Sequence, residues 1–351
     1  MTTRMEPAPG VVAGPGQARA VTLLDLLVAR IDDAAARPAL VTREGVDDAA
    51  TTWTWLEVAA ASVDLAAALE AAGFRPGDRV VHVGTHSVDW VVVDLACLLA
   101  GFVHAPLHVD APRGELLHQI GWLVPDKIVI SGDAGAHPPA DHGRLLDALP
   151  DPRRAIDLRF PAPRRGLRSA LPGAGLRSAA WQHRAADPAE LRREVTRRAA
   201  AIDPDAPARI FLSSGTTGRP RGYVHSQRSL ATNALGAAAI FLDEPDDVRL
   251  AWLPMSHALA CTGDLSTALV RGGCLNVVPD RRHLLAACRF LPPTVILGVP
   301  AFFERLERGV RSGAIPDLAA ALGGRVRVCI SGGAALRERT QALFAARGCS
   351  P

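Results

Sequence analysis

Two rhythms alternate along the chain from residue 56 onward. An Ala-rich apolar stretch from Leu56 to Ala72 stops at Gly73, and "RPGD" (75–78) leads into the short apolar run "RVVHVG". Glycine after an apolar periodic segment ends a helix and Pro-Gly makes a turn, so helix, turn and strand are predicted in that order. The pattern repeats with a buried helix at about Trp90 to Ala100 closed by Gly101, a strand "FVHAPL", a helix over Arg113 to Leu123 and a strand from Lys127 to Gly132. Between Asp133 and about Ala200 the rhythm weakens into Pro-, Gly- and Arg-rich sequence, part of which reads as a surface excursion. Order returns at Ala208 with strand "RIFLS", a polar loop, strand "GYVHS" and a helix over Gln227 to Ile240. Strands "RLAWLP", "CLNVV", "TVILGV" and "VRVCISG" follow, separated by helices near 265–270, 282–290 and 301–310. Helices alternating with short apolar strands predict an α/β fold of layered, mainly parallel sheets flanked by helices. A disordered N-terminal segment is expected over 1–20, a first subdomain over about 21–200 with a variable stretch at 133–200, and a second over about 201–351.

Composition narrows the function classes. A chain of 351 residues with 48% hydrophobic content can bury one large core or two smaller ones. A net charge of +3 gives no electrostatic footprint for nucleic acid, so no nucleic-acid partner is expected. Of the 39 basic residues, Lys127 is the one lysine. Six cysteines are scattered without a CxxC pair or a Cys/His spacing that would hold zinc, so no metal ligand set is read from them and a reducing compartment is expected. The first twenty residues lack the continuous apolar core of a signal peptide. The most membrane-like run, Trp90 to Val103, is interrupted by Asp94 and falls short of the ~20 residues that span a bilayer, so a cytoplasmic location with no transmembrane segment is expected.

The chemistry concentrates in "IFLSSGTTGRPRGYVHS" (210–226). Between Ser213 and Pro220 it has no apolar side chain, and apolar strands flank it. Small residues let backbone N–H groups and hydroxyls close around an anion, and phosphate is the natural guest. A solvent-exposed hairpin turn would use the same residues. The string is not a Walker A loop, because no Gly-Lys-Ser/Thr opens a helix. "LSSGTTGRPRG" (212–222) resembles the phosphate-binding signature of the adenylate-forming superfamily, the acyl-CoA synthetases and other AMP-binding enzymes. "LAWLPMSHALA", "TVILGVPAFFERL" and "VRVCISGGAAL" are similar to its later segments in the right order, closest in flavour to long-chain fatty acyl-CoA synthetases.

The resemblance implies activation of a fatty or related carboxylic acid by ATP to an acyl-adenylate and then to a coenzyme A thioester, with Mg2+ as cofactor. It assigns Ser213, Ser214, Gly215, Thr216, Thr217, Gly218 and Arg221 to the ATP phosphates, Arg221 standing where the family usually carries lysine. His257 would sit near the acyl carboxylate as the catalytic residue, although a histidine after a strand is by itself more often structural. Ser331, Gly332, Gly333 and Ala334 would face the adenine, and Val299 with Pro300 would wall the acyl pocket or simply pack the core. The family's Tyr-Gly-x-Thr-Glu segment does not follow "LFAARGCSP". The resemblance therefore implies an incomplete large domain without the C-terminal lid domain, inactive alone, with a complementing chain as a possible partner. A non-enzymatic nucleotide- or acyl-binding protein, and a ligand-free interaction module on the same fold, stand as alternatives.

Overall fold

The computed structural model describes residues 21–43, 48–108, 110–131, 149, 151, 154–158, 187–213 and 221–347. The segment 1–20, the stretch 159–186 and the loop residues 214–220 lie outside these, so the expectations placed on them are not addressed by the fold.

Twelve strands among the described residues form two six-stranded sheets. One contains β3 (Arg79–Gly84), β4 (Val103–His108), β5 (Lys127–Ser131), β6 (Ala155–Asp157), β7 (Pro207–Ser213) and β8 (Arg221–Ser226), in the spatial order β6-β5-β3-β4-β7-β8. The other contains β1 (Pro38–Thr42), β2 (Thr51–Thr54), β9 (Val248–Ala251), β10 (Cys274–Val277), β11 (Val295–Gly298) and β12 (Val328–Ser331), in the order β12-β11-β9-β10-β1-β2. Pairing is parallel except at the β1–β2 and β7–β8 edges.

The sheets do not divide the chain at about residue 200. β7 and β8 extend the first sheet, while β1 inserts between β10 and β2 of the second. Leu40 pairs with Leu275 across 235 positions of sequence, a contact that no local pattern announces. The helix Leu23–Asp33, opened by a Thr22–Asp25 capping box, was also not evident from the apolar rhythm. Part of the supposed excursion is a helix, Pro188–Ala201, with Asp187 as its N-cap and Pro188 in the first turn. Its inward stripe is Leu191, Val195, Arg198 and Ala199, and the arginine at the third place disguises the period. Buried Arg198 reaches Glu70 at 2.8 Å and Glu194 at 2.8 Å.

The helices Trp55–Ala71 and Val88–Leu99 lie in the main core, whose apolar members come from both sheets: Leu40, Ala251 and Leu275 from one, Val80, Val129 and Phe211 from the other. The helix Val88–Leu99 is buried along its whole length, which explains its membrane-like composition. Outer layers complete the stack. The helix Arg113–Leu123 packs Leu116, Ile120 and Leu123 on Val81, Val83 and Ile130, and the helix Pro300–Arg311 shares a cluster with β11 through Phe303 and Leu306. With both faces covered, the parallel strands read as continuous apolar runs.

Asp94, which interrupts that run, anchors a buried polar chain. Its carboxylate takes Arg209 at 2.7 and 2.6 Å and His104 Nδ1 at 2.7 Å, with all three side chains at 0–1% exposure. A carboxylate only accepts, so His104 holds its proton on Nδ1; His82 Nδ1 then donates to His104 Nε2 at 3.0 Å, and the Ser131 hydroxyl donates to His82 Nε2 at 2.7 Å. Burial pushes the Asp94 carboxyl up, but Arg209 and His104 outweigh it and hold it below the ordinary range. The thiols of Cys261, Cys274 and Cys288 are pushed up to about 12 by burial, so they are inert packing groups.

Candidate active site

Parallel strands deliver all their carboxyl ends to one edge, and in open α/β sheets ligands settle outside that edge. Here the carboxyl edges of the two sheets meet. His86, two residues beyond β3, bonds the Ala251 carbonyl at the end of β9 through Nε2 at 2.7 Å. His108, the last residue of β4, lies against His257, six residues beyond β9, with ring centroids 5.4 Å apart and planes at 52°. Arg281, beyond β10, approaches Asp110 at 3.7 Å. Three contacts therefore stitch the seam.

The residues assigned from sequence arrange themselves along it. Ser213 ends β7 and pairs with Arg221 at the start of β8, so the two strands hold both ends of the polar loop together. Ser214, Gly215, Thr216, Thr217 and Gly218 lie outside the described residues. His104 pairs with Arg209, and four residues further along these parallel neighbours come His108 and Ser213; the loop thus leaves the sheet at the level of His108. His257 is exposed, and its backbone N–H donates to Pro254 O at 3.0 Å to shape the turn. After it, the helical stretch 258–271 is π-helical over Cys261–Ser266; such segments are frequent where a helix must carry function.

Ser331 ends β12, and Gly332 to Ala334 follow it at the same edge. Gly332 N–H donates to Gly298 O at 2.9 Å, and a Cβ at Gly332 would come within 2.7 Å of Leu259, two residues past His257. The glycine turn and the histidine turn are therefore in contact. Gly333 has φ +85°, a backbone that side chains rarely adopt. The Ser331 hydroxyl is buried and finds no hydrogen-bond partner among the described residues. Val299 and Pro300 cap and open the helix Pro300–Arg311 at the end of β11 and are half-buried; behind them Phe302 packs on Trp252 at 4.7 Å.

Sequence reasoning missed His86, His108, Asp110 and Arg281. The available signal was a histidine at the carboxyl end of "FVHAPLH", but its partner comes from the other sheet. Although its side chain reaches solvent, partial desolvation by the surrounding seam holds His257 below the ordinary histidine value, helped by His108. His108 is lowered too, first by burial and then by Arg281, against the opposing pull of Asp110. Burial brings His86 to about 4 despite its bond to Ala251 O. The seam therefore presents neutral imidazoles beside the Arg281–Asp110 pair at neutral pH. No group of three or more His, Cys, Asp or Glu among the described residues could hold a metal ion. No described helix is long and apolar enough to cross a membrane.

Two mainly parallel sheets meeting at their carboxyl edges define an α/β protein, and comparison with known proteins gives the class. The profile of AMP-binding enzymes matches residues 29–351, and the chain belongs to that family. It is 28% identical over 261 residues to the long-chain-fatty-acid–CoA ligase FadD15 of Mycobacterium tuberculosis, covering 72% of this chain and 40% of that protein. A feruloyl-CoA synthase from Amycolatopsis is 26% identical over 264 residues, covering 73% and 45%. The chain thus spans less than half the length of these relatives. ATP-bound MatB from Rhodopseudomonas palustris superposes with a TM-score of 0.65 at 26% identity, over 93% of this chain and 58% of that one. The anthranilate CoA ligase AuaEII, in complex with anthranoyl-AMP, shares the fold with a TM-score of 0.72 at 17% identity, over 93% and 58%.

Proposed function

We propose that this chain forms the nucleotide- and acyl-facing part of an enzyme that activates a fatty acid with ATP, as an acyl-adenylate, for transfer to the thiol of coenzyme A. The observation that carries this reading is the seam itself, where the mouth of the polar loop at Ser213, the His108–His257 contact and the Leu259–Gly332 contact follow one another along the joined carboxyl edges. The reaction is displacement at the α-phosphorus by a carboxylate with departure of pyrophosphate, and its catalysis is positioning plus charge stabilisation. Ser213, Ser214, Gly215, Thr216, Thr217 and Gly218 cradle the phosphates with backbone N–H groups and hydroxyls, and Arg221 adds a fixed positive charge in a planar fork. His257 meets the acyl carboxylate, Ser331 to Ala334 lie against the adenine, and Val299 with Pro300 wall the acyl chain. Magnesium would come with ATP and would neutralise the charge that develops on the departing pyrophosphate. Relatives named as acyl-CoA ligases support the substrate class. A cytoplasmic location and a complementing chain that supplies further catalytic groups belong to the same proposal.

Equilibrium binding tests it. The purified chain binds ATP, and binds a non-hydrolysable decanoyl-adenylate analogue at least a hundredfold more tightly, because the analogue fills nucleotide and acyl subsites together. Arg221→Ala weakens ATP about tenfold by removing a charge-assisted contact. Failure of ATP and of the analogue to bind at millimolar concentration contradicts the reading.

A further inference from the structure

We propose that His108 is a second carboxylate-binding residue, so that the acyl carboxylate is held between His108 on one sheet and His257 on the other. This deepens the function proposed above and rests on it. Three observations support the pair. First, the two rings are neighbours across the seam, with centroids 5.4 Å apart and planes at 52°, so one small anion can reach both. Second, the tautomer of His108 is set by its own turn. The Asp110 backbone N–H donates to His108 Nδ1 at 3.1 Å, so neutral His108 carries its proton on Nε2, where it can donate to an incoming oxygen. Third, no described residue takes a hydrogen bond from that Nε2, nor from either ring nitrogen of His257.

Arg281 faces both His108 and His86, while Asp110 and Glu115 face His108 from its own side and Asp110 is paired with Arg281, so the charges leave no positive surplus and a bound anion is held by the imidazole N–H donors. His108 stands level with Ser213 across β4 and β7, so a carboxylate on this pair would be carried to the mouth of the phosphate loop. The arrangement also suits a pair of neutral donors. His108 disfavours protonation of His257, and desolvation disfavours that of His108, so both rings of the free site stay neutral, and an arriving carboxylate reverses that preference. The roles then divide by sheet: His257 stands beyond β9 and His108 ends β4, and a bound carboxylate adds a fourth stitch across the seam.

Imidazole NMR titration with decanoate, in the presence of AMP, tests the pair; His108→Gln and His257→Gln assign the two resonances. Decanoate should raise the apparent pKa of both histidines, whereas decanol, which keeps the chain but lacks the charge, should raise neither. By calorimetry His108→Ala should lose about tenfold in decanoate affinity and less than twofold in decanol affinity, the loss expected for one hydrogen bond to a charged group. His108→Asn, which keeps a side-chain N–H donor, should recover part of the loss. Unchanged thermal melting of both variants shows that the fold is intact. A response of His257 without His108 overturns the pair and leaves the proposed function standing. Silence of both overturns both readings. Equal responses to decanol and decanoate overturn the assignment to a carboxylate.

Discussion

Asp94→Ala removes the acceptor on which the buried polar chain is built. Arg209, at 0% exposure, bonds Asp94 through NH2 at 2.7 and 2.6 Å, and its Nε and NH1 have no partner among the described residues. The substitution thus leaves a buried guanidinium without a counter-charge, and His104 Nδ1–H loses its 2.7 Å acceptor as well. Breaking a buried pair from one side costs about 3–5 kcal/mol. With an m-value of about 3 kcal/mol per molar urea, the unfolding midpoint should fall by roughly 1 M or more. Trp90 is the natural reporter, since its ring lies 5.7 Å from His82 and 5.6 Å from His104. Urea titration followed by tryptophan fluorescence gives the shift. Asp94→Leu combined with Arg209→Met removes both charges and should recover at least half of the loss, because two apolar side chains leave no uncompensated ion. A single-variant cost below about 1 kcal/mol, or a double variant several kcal/mol worse than the single, would refute the reasoning.

Three further predictions follow from other parts of the molecule. Asp264 shares Arg249 with Asp243, at 3.3 and 2.5 Å, and burial pushes its carboxyl up to about 7. The folded state therefore binds this proton more tightly than the unfolded chain, and stability from this group falls as pH rises from about 4 to about 7; Asp264→Asn should gain on the wild type across that window in urea titrations, and a constant difference contradicts the assignment. His82 and His104 are buried neutral with lowered values, so the stability they contribute is present above about 6.5 and lost as pH falls; His82→Gln should flatten the acid limb of a stability–pH profile, and an unchanged limb counts against the buried chain. Gly333→Ala should cost about 1 kcal/mol through its positive φ alone, since a Cβ there meets nothing within 4 Å; a neutral effect in thermal melting means the turn is not left-handed.

What was legible in the sequence had local causes. The helix Gln227–Ile240 opens at a serine capping box, and the helix Arg113–Leu123 is followed by Pro125, so their bounds could be read from neighbouring residues. Strand order could not be read this way. The entry of β1 between β10 and β2, and the membership of β7 and β8 in the first sheet, depend on pairings between distant segments. The helix Pro188–Ala201 was hidden because its stripe includes Arg198, whose charge is matched by Glu70 from another helix. The same holds for the site. His257 and the turn at Ser331 to Ala334 belong to contiguous motifs, but His108 matters only because two sheets abut, and Asp94 seemed a break in an apolar run until Arg209 and His104 closed on it.

A crystal structure of the chain with the non-hydrolysable decanoyl-adenylate analogue tests the central claim most directly. The account predicts the acyl-phosphate linkage between His257 and the loop 214–218, the adenine against Ser331 to Ala334, and the alkyl chain running past Val299. Binding of the analogue elsewhere, for instance in the groove between Arg43, Asn276, His283 and Phe290 at the carboxyl ends of β1 and β10, would contradict it.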